Sequence, residues 1–184
     1  MRIIGIDPSL TATGIATIDT NHPDHIRIHT ETIHSTKTGN TITHRLTRFG
    51  TVADTLLDTI PNNPDPDLAI IEGPAYSAHG AGTWDRAGMW WNIARILHRL
   101  DIPTIEVPPA TRCQYATGKG NAAKDVVMIS AVRRYPAADI TNNNEADAVI
   151  LAAIGARLHG HPIDDIPKAN LRSLAKLPRI TDAA

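Results

Sequence analysis

Apolar residues follow two rhythms along this chain. Near the N-terminus they come in short, dense, β-branched runs. Residues 2–7, Arg2-Ile3-Ile4-Gly5-Ile6-Asp7, read as a strand buried on both faces. Residues 13–19 read as a second strand, joined to the first by Pro8-Ser9-Leu10-Thr11-Ala12. Residues 25–33 alternate loosely through Ile26, Ile28 and Ile33, which predicts a third strand and an antiparallel meander. Two more runs, Leu68 to Glu72 and Ile102 to Val107, end at prolines and predict strands four and five.

Elsewhere the period is helical. Between Thr41 and Ile60 the apolar positions are Ile42, Leu46, Phe49, Val52, Ala53, Leu56, Leu57 and Ile60, a stripe with a polar outer face. The cluster Pro61-Asn62-Asn63-Pro64-Asp65-Pro66 ends that helix. Residues 84–100, 122–135 and 144–159 predict three further helices, and Ala169 to Leu177 forms a short basic amphipathic segment. The order β-β-β-α-β-α-β-α-α predicts one mixed α/β domain over 1–159 and a C-terminal basic tail with a short helix over 160–184.

Composition narrows the class. With 184 residues, 42% of them hydrophobic, the chain supports a real core. No apolar stretch approaches the roughly 20 residues that span a bilayer, and no apolar run follows a basic N-terminal region, so no secretory leader is expected. The lone cysteine, Cys113, excludes a disulfide framework and a cysteine-based zinc site within one chain, which fits a reducing, cytoplasmic setting. Net charge is −1, but its distribution is uneven. Residues 1–85 carry 5 Lys+Arg and 10 Asp+Glu, whereas residues 86–134 carry 8 and 3. An acidic first half beside a basic second half suits a metal site next to a phosphate-binding face.

The acids are placed accordingly. Asp7 and Glu72 each close a buried strand, and each is followed within two residues by proline. If those strands are parallel neighbours, the two carboxylates stand side by side at the sheet edge where α/β folds bind ligands. Their repulsion is relieved by a cation such as Mg²⁺. A third acid lies in Asn142-Asn143-Asn144-Glu145-Ala146-Asp147-Ala148. Glu145 suits the first turn of a capped helix. Asp147 shares a face with Leu151, Ile154 and Leu158, so it points toward the sheet and needs a partner there. Three converging acids indicate metal-dependent phosphodiester chemistry.

Four segments carry a family likeness. Gly5-Ile6-Asp7-Pro8-Ser9 with Thr13-Gly14, Ala69-Ile70-Ile71-Glu72-Gly73-Pro74-Ala75-Tyr76, Gly118-Lys119-Gly120-Asn121-Ala122-Ala123-Lys124-Asp125, and Glu145-Ala146-Asp147-Ala148 resemble, in this order, the motifs of RuvC-type Holliday junction resolvases. The resemblance runs from Met1 to about His159. It implies an RNase H-like fold, with a central mixed sheet of about five strands flanked by helices. It also implies a bacterial or phage-encoded homodimer that nicks four-way DNA junctions symmetrically, with two Mg²⁺ or Mn²⁺ ions per site and no small-molecule cofactor.

By position, the resemblance implies that Asp7 bridges the two ions, Glu72 holds one and the Asp147 group the other. The family's fourth metal-site residue, three positions before the last acid, falls on Asn144, which has no charge. Glu145 is charged but lies about 200° around the helix from Asp147. Asn144 and Glu145 both remain open, with Glu145 favoured for its charge. Lys124 begins a helix near these acids and is placed to stabilise charge on the scissile phosphate, and Arg112 and Lys119 are expected to grip phosphates.

Two further readings come from the residues. The helix over 84–100 carries two apolar stripes, Trp84, Ala87, Gly88, Trp91, Ala94 and Met89, Ile93, Ile96, Leu100. One can face the sheet and the other a partner copy, with Trp90-Trp91 as anchor. Tyr76, just past the Glu72 strand, is placed to stack on an unpaired base. Competing functions are an RNase H-like nuclease for flaps, Y-forks or RNA–DNA hybrids, and a catalytically disabled junction-binding protein. Actin-like sugar kinases also begin with a Gly-x-Asp strand, but they need two such domains, for which this chain is too short.

Overall fold

The computed structural model describes residues 1–21, 26–62, 66–74, 80 and 82–178. Strands β1 (Arg2–Asp7), β2 (Ala12–Asp19) and β3 (Arg27–His34) form the expected antiparallel meander. β4 (Leu68–Glu72) and β5 (Thr104–Val107) extend the sheet in parallel on the other side of β1, giving the order β3-β2-β1-β4-β5.

Alternation along β1 and β4 sorts side chains to two cores. Ile4, Ile6, Ala69 and Ile71 face one side, where α1 (Ile42–Asn62) and α2 (Thr83–Arg99) cover them with Val52, Leu56, Met89 and Ile93. Ile3, Leu68, Ile70 and Val107 face the other side, against α5 (Asn143–Leu158). There α5 is itself covered by α3 (Pro109–Thr117), α4 (Lys124–Arg134) and the C-terminal segment with α6 (Lys168–Leu171). Enclosed from both directions, α5 is buried continuously from Glu145 to Ala156, which explains why it is apolar all round.

Two glycines set how closely α5 approaches the sheet. A Cβ on Gly5 would meet the Ala148 carbonyl oxygen at 2.2 Å, and one on Gly14 would meet the Asn144 carbonyl oxygen at 2.1 Å. Only a bare Cα leaves room for helix backbone against strand backbone.

Helix α3 departs from the sequence expectation, which ended β5 at Pro108-Pro109 and placed nothing before residue 122. Pro109 opens α3, where a missing N–H costs nothing, and Gly118 closes it in the left-handed region (φ 79°). The tail is docked on this helix. Gln114 Nε2 donates to the Ala169 carbonyl (2.7 Å), and Asn170 Nδ2 donates to the Tyr115 carbonyl (2.8 Å). Asp164, its side chain 1% exposed, accepts from Tyr115 Oη (2.8 Å), Tyr135 Oη (2.5 Å) and Arg157 Nη2 (2.6 Å).

Among the described residues, no helix is long and apolar enough to cross a membrane.

Candidate active site

β1 and β4 deliver their acids to one place. Ile6 pairs with Ile71, so the next residues, Asp7 and Glu72, leave the ladder together. The period of two puts Asp7 on the face of Ile3 and Gly5, and Glu72 on the face of Leu68 and Ile70. Both therefore turn toward α5, which brings Asp147 from its first turns. Asp7 and Asp147 are buried despite their charge, at 8% and 7% exposure.

Local contacts fix each strand end. Thr13 Oγ1 donates to the Ser9 carbonyl (2.9 Å) and accepts from the Ser9 N–H (3.2 Å), locking the turn after Asp7. Trp90 Nε1 donates to the Glu72 carbonyl (2.8 Å), tying α2 to the end of β4. That half-buried position corrects the expectation for Trp90: it braces Glu72 and packs beside the α1/α2 core. Trp84 and Trp91, one heptad apart, are 85% and 68% exposed. Met89, Ile93, Ile96 and Leu97 form the buried stripe.

The acids are electrostatically strained. Burial first, then the charges of Glu72 and Asp147, hold the Asp7 carboxyl well above the usual carboxylate range, and Arg112 opposes this only in part. Asp147 is pushed up to about 6 by burial and by Glu72, against the pull of Arg112 and Lys124. Arg112 is the unexpected member. Its Nε–H donates to Glu72 Oε1 and its Nη1–H to Asp147 Oδ1. Its place in the basic second half predicts a grip on DNA phosphates, whereas in the structure it pairs with two acids. The apolar pattern does not predict α3, nor therefore the turn that carries Arg112 into the acids. The Pro109 and Gly118 boundaries were the available signal.

Among the described residues, no three acidic, histidine or cysteine side chains surround one point as a ready ligand set. Arg112 lies between Glu72 and Asp147. A cleft of about 780 Å³ opens at this edge, lined among others by Asp7, Glu72, Arg86, Trp91, Lys124 and Asn144. Lys124, at the start of α4, acts on the charge of Asp147.

Glu145 is not brought to the acids. Its Oε2 accepts from Thr141 N–H and Oγ1 (both 2.8 Å), and its Oε1 accepts from Thr32 Oγ1 (2.8 Å). Its own N–H donates to Asn142 Oδ1 (3.0 Å), so it completes the N-terminal cap of α5. The preference for Glu145 over Asn144 is therefore corrected: Asn144 lines the cleft and Glu145 points to β3. Lys119 is exposed on the loop after α3. Tyr76 lies outside the described residues. Arg86 and Glu106 also line the cleft, and no motif in the sequence marks either.

Comparison with known proteins agrees with the resemblance. The chain is 29% identical over 170 residues to the crossover junction endodeoxyribonuclease RuvC of Chlamydia trachomatis serovar L2, covering 90% of this chain and 96% of that protein. It is 27% identical over 153 residues to RuvC of Rickettsia bellii, covering 83% and 94%. No family model matches. Among solved structures, Thermus thermophilus RuvC superposes with a TM-score of 0.68 at 17% identity, covering 88% of this chain and 98% of that one. The same protein in complex with Holliday junction substrate gives 0.67, covering 88% and 97%. The fold is RNase H-like, and the likeness to RuvC-type resolvases holds in both sequence and structure.

Proposed function

We propose that this chain, similar to RuvC in sequence and fold, is a metal-dependent endonuclease that resolves four-way DNA junctions by symmetric nicking. The observation that carries the reading is the meeting of Asp7, Glu72 and Asp147 from three separate elements at one sheet edge, beside a cleft that also holds Lys124. Three acids in a partly buried site repel one another, and one guanidinium offsets only part of that charge. Their donors are all oxygen, the chemistry of a hard cation such as Mg²⁺ or Mn²⁺. Asp7, Glu72 and Asp147, with the Asn144 amide in place of a fourth acid, would hold two such ions. When bound, the ions supply hydroxide at neutral pH and stabilise the leaving oxyanion.

The chain's own residues do the rest. Asp7 and Glu72, fixed by the Ser9–Thr13 turn and by Trp90, hold their carboxylates in register. Lys124 places a positive charge beside Asp147, where it meets an oxygen of the scissile phosphate. Arg86 and the exposed Lys119 add phosphate contacts that carry no base preference. Two symmetric nicks need two sites, and the exposed Trp84 and Trp91 on one face of α2 support a two-fold homodimer through that helix.

The test is cleavage of a synthetic immobile four-way junction in Mg²⁺ and in EDTA, with linear duplex and Y-fork DNA alongside and Asp7→Asn as control. The expected result is paired nicks on the junction, lost with EDTA or the substitution. Equal cleavage of the Y-fork would favour the broader branched-DNA nuclease. Junction binding without cleavage, in Mn²⁺ as well, would favour a disabled binder, a reading that the uncharged Asn144 supports.

A further inference from the structure

Arg112 occupies the ground that a divalent cation needs. Its guanidinium engages Glu72 Oε1 and Asp147 Oδ1 at once, and its side chain is only 12% exposed. The helix beneath it cannot easily retreat. Arg134 Nη2 donates to the Ala116 carbonyl (2.6 Å), Asn170 holds the Tyr115 carbonyl, and Gln114 is tied to the tail. Any exchange must therefore come from the Arg112 side chain swinging out. The adjoining cleft of about 780 Å³ gives it room, and a phosphate there would match its planar fork as well as a carboxylate does.

We propose that Arg112 is a built-in competitor of the metal, a counter-ion that keeps Glu72 and Asp147 closed on each other until a divalent ion displaces it. The proposal rests on the metal-dependent reading above. A monovalent guanidinium and a divalent ion cannot share the same two carboxylate oxygens, because at so short a separation in a poorly hydrated site they repel strongly. The closed arrangement is a binding-incompetent population, and it weakens apparent metal affinity in proportion to its share. The latch leaves one acid open: the described hydrogen bonds of Arg112 reach Glu72 and Asp147 but not Asp7, so Asp7 stays available to an arriving cation.

The experiment is Mn²⁺ titration of the full chain without DNA, followed by the electron paramagnetic resonance signal of free Mn²⁺. It compares wild type, Arg112→Gln, Arg112→Lys and Asp7→Asn, each checked for folding by circular dichroism. Arg112→Gln should bind Mn²⁺ tighter by about ten-fold. Arg112→Lys, a point charge that cannot fork across both carboxylates, should fall between the two. A folded Arg112→Gln that binds no tighter than wild type, while Asp7→Asn loses binding, overturns the latch and leaves the nuclease reading standing. Should Arg112→Gln fail to fold, Arg112→Lys decides: tighter binding supports the latch, and equal or weaker binding overturns it. No Asp7-dependent Mn²⁺ binding in any variant overturns the latch and the metal-dependent reading together.

Discussion

Gly14 faces the backbone of Asn144 so closely that an added methyl would stand 2.1 Å from the Asn144 carbonyl oxygen. The start of α5 therefore rests directly on β2, and this contact sets how far Asp147 reaches toward Asp7. Gly14→Ala must lift the helix. The expected cost is about 1–3 kcal/mol of stability, with junction cleavage falling further than the loss of folded protein explains. A thermal melt and single-turnover cleavage on the same preparation check both.

Trp90→Phe keeps an aromatic ring but removes the indole N–H that holds the Glu72 carbonyl, together with part of the indole's packing. Stability should fall by about 1–3 kcal/mol. Because reacting groups are sensitive to small displacements, cleavage should drop by about ten-fold with junction affinity unchanged. Equal loss of affinity and rate would point to a role in DNA binding instead.

Glu145 provides a pH-dependent contrast. Burial would raise its pKa, but hydrogen bonds from Thr141, Thr32 and Asn142 prevail and hold it below the ordinary value of 4.5. A depressed carboxylate stabilises the fold above its unfolded pKa and loses that contribution as pH falls through the folded value. Glu145→Gln should therefore cost about 1 kcal/mol at neutral pH, flatten the acid limb of the stability profile, and leave cleavage intact. Loss of cleavage in a fully folded variant would return Glu145 to the metal site.

Asn144→Asp adds charge where the cleft has an amide. Half-maximal cleavage should then need several-fold less Mg²⁺, roughly the 5-fold scale of a modest coupling. A variant with unchanged Mg²⁺ demand would show that position 144 contributes nothing to ion binding.

Asp164 is a purely architectural acid. Asp164→Ala strips the acceptor shared by Tyr115, Tyr135 and Arg157, so stability should fall by about 3–5 kcal/mol. Folded protein should keep its rate per site, as measured by cleavage below the melting transition.

Much of this was legible from residues alone, for physical reasons. β1 and β4 announced themselves because a strand buried on both faces needs a dense apolar run, and a run ending in Asp7 or Glu72 marks the sheet edge. Asp147 was legible because helical spacing aligned it with Leu151 and Ile154. Arg112 was not, because α3 is short and marked by its ends, not by an apolar stripe. Trp90 and Trp91 looked equivalent as neighbours, yet a 100° step turns one toward Glu72 and the other to solvent. Glu145 draws attention by charge, although its position about 200° around the helix sets it apart from Asp147.

The three acids also arrive in a telling order. Asp7 is made first, Glu72 must wait for the parallel pairing of β4 with β1, and Asp147 comes on α5, the helix that completes one whole core. A growing chain that lacks α5 lacks both the packing that holds the sheet and the last carboxylate. Assembly of the proposed site is thus tied to completion of the fold: a chain in which α5 has not packed on the sheet does not bring Asp147 to Asp7 and Glu72.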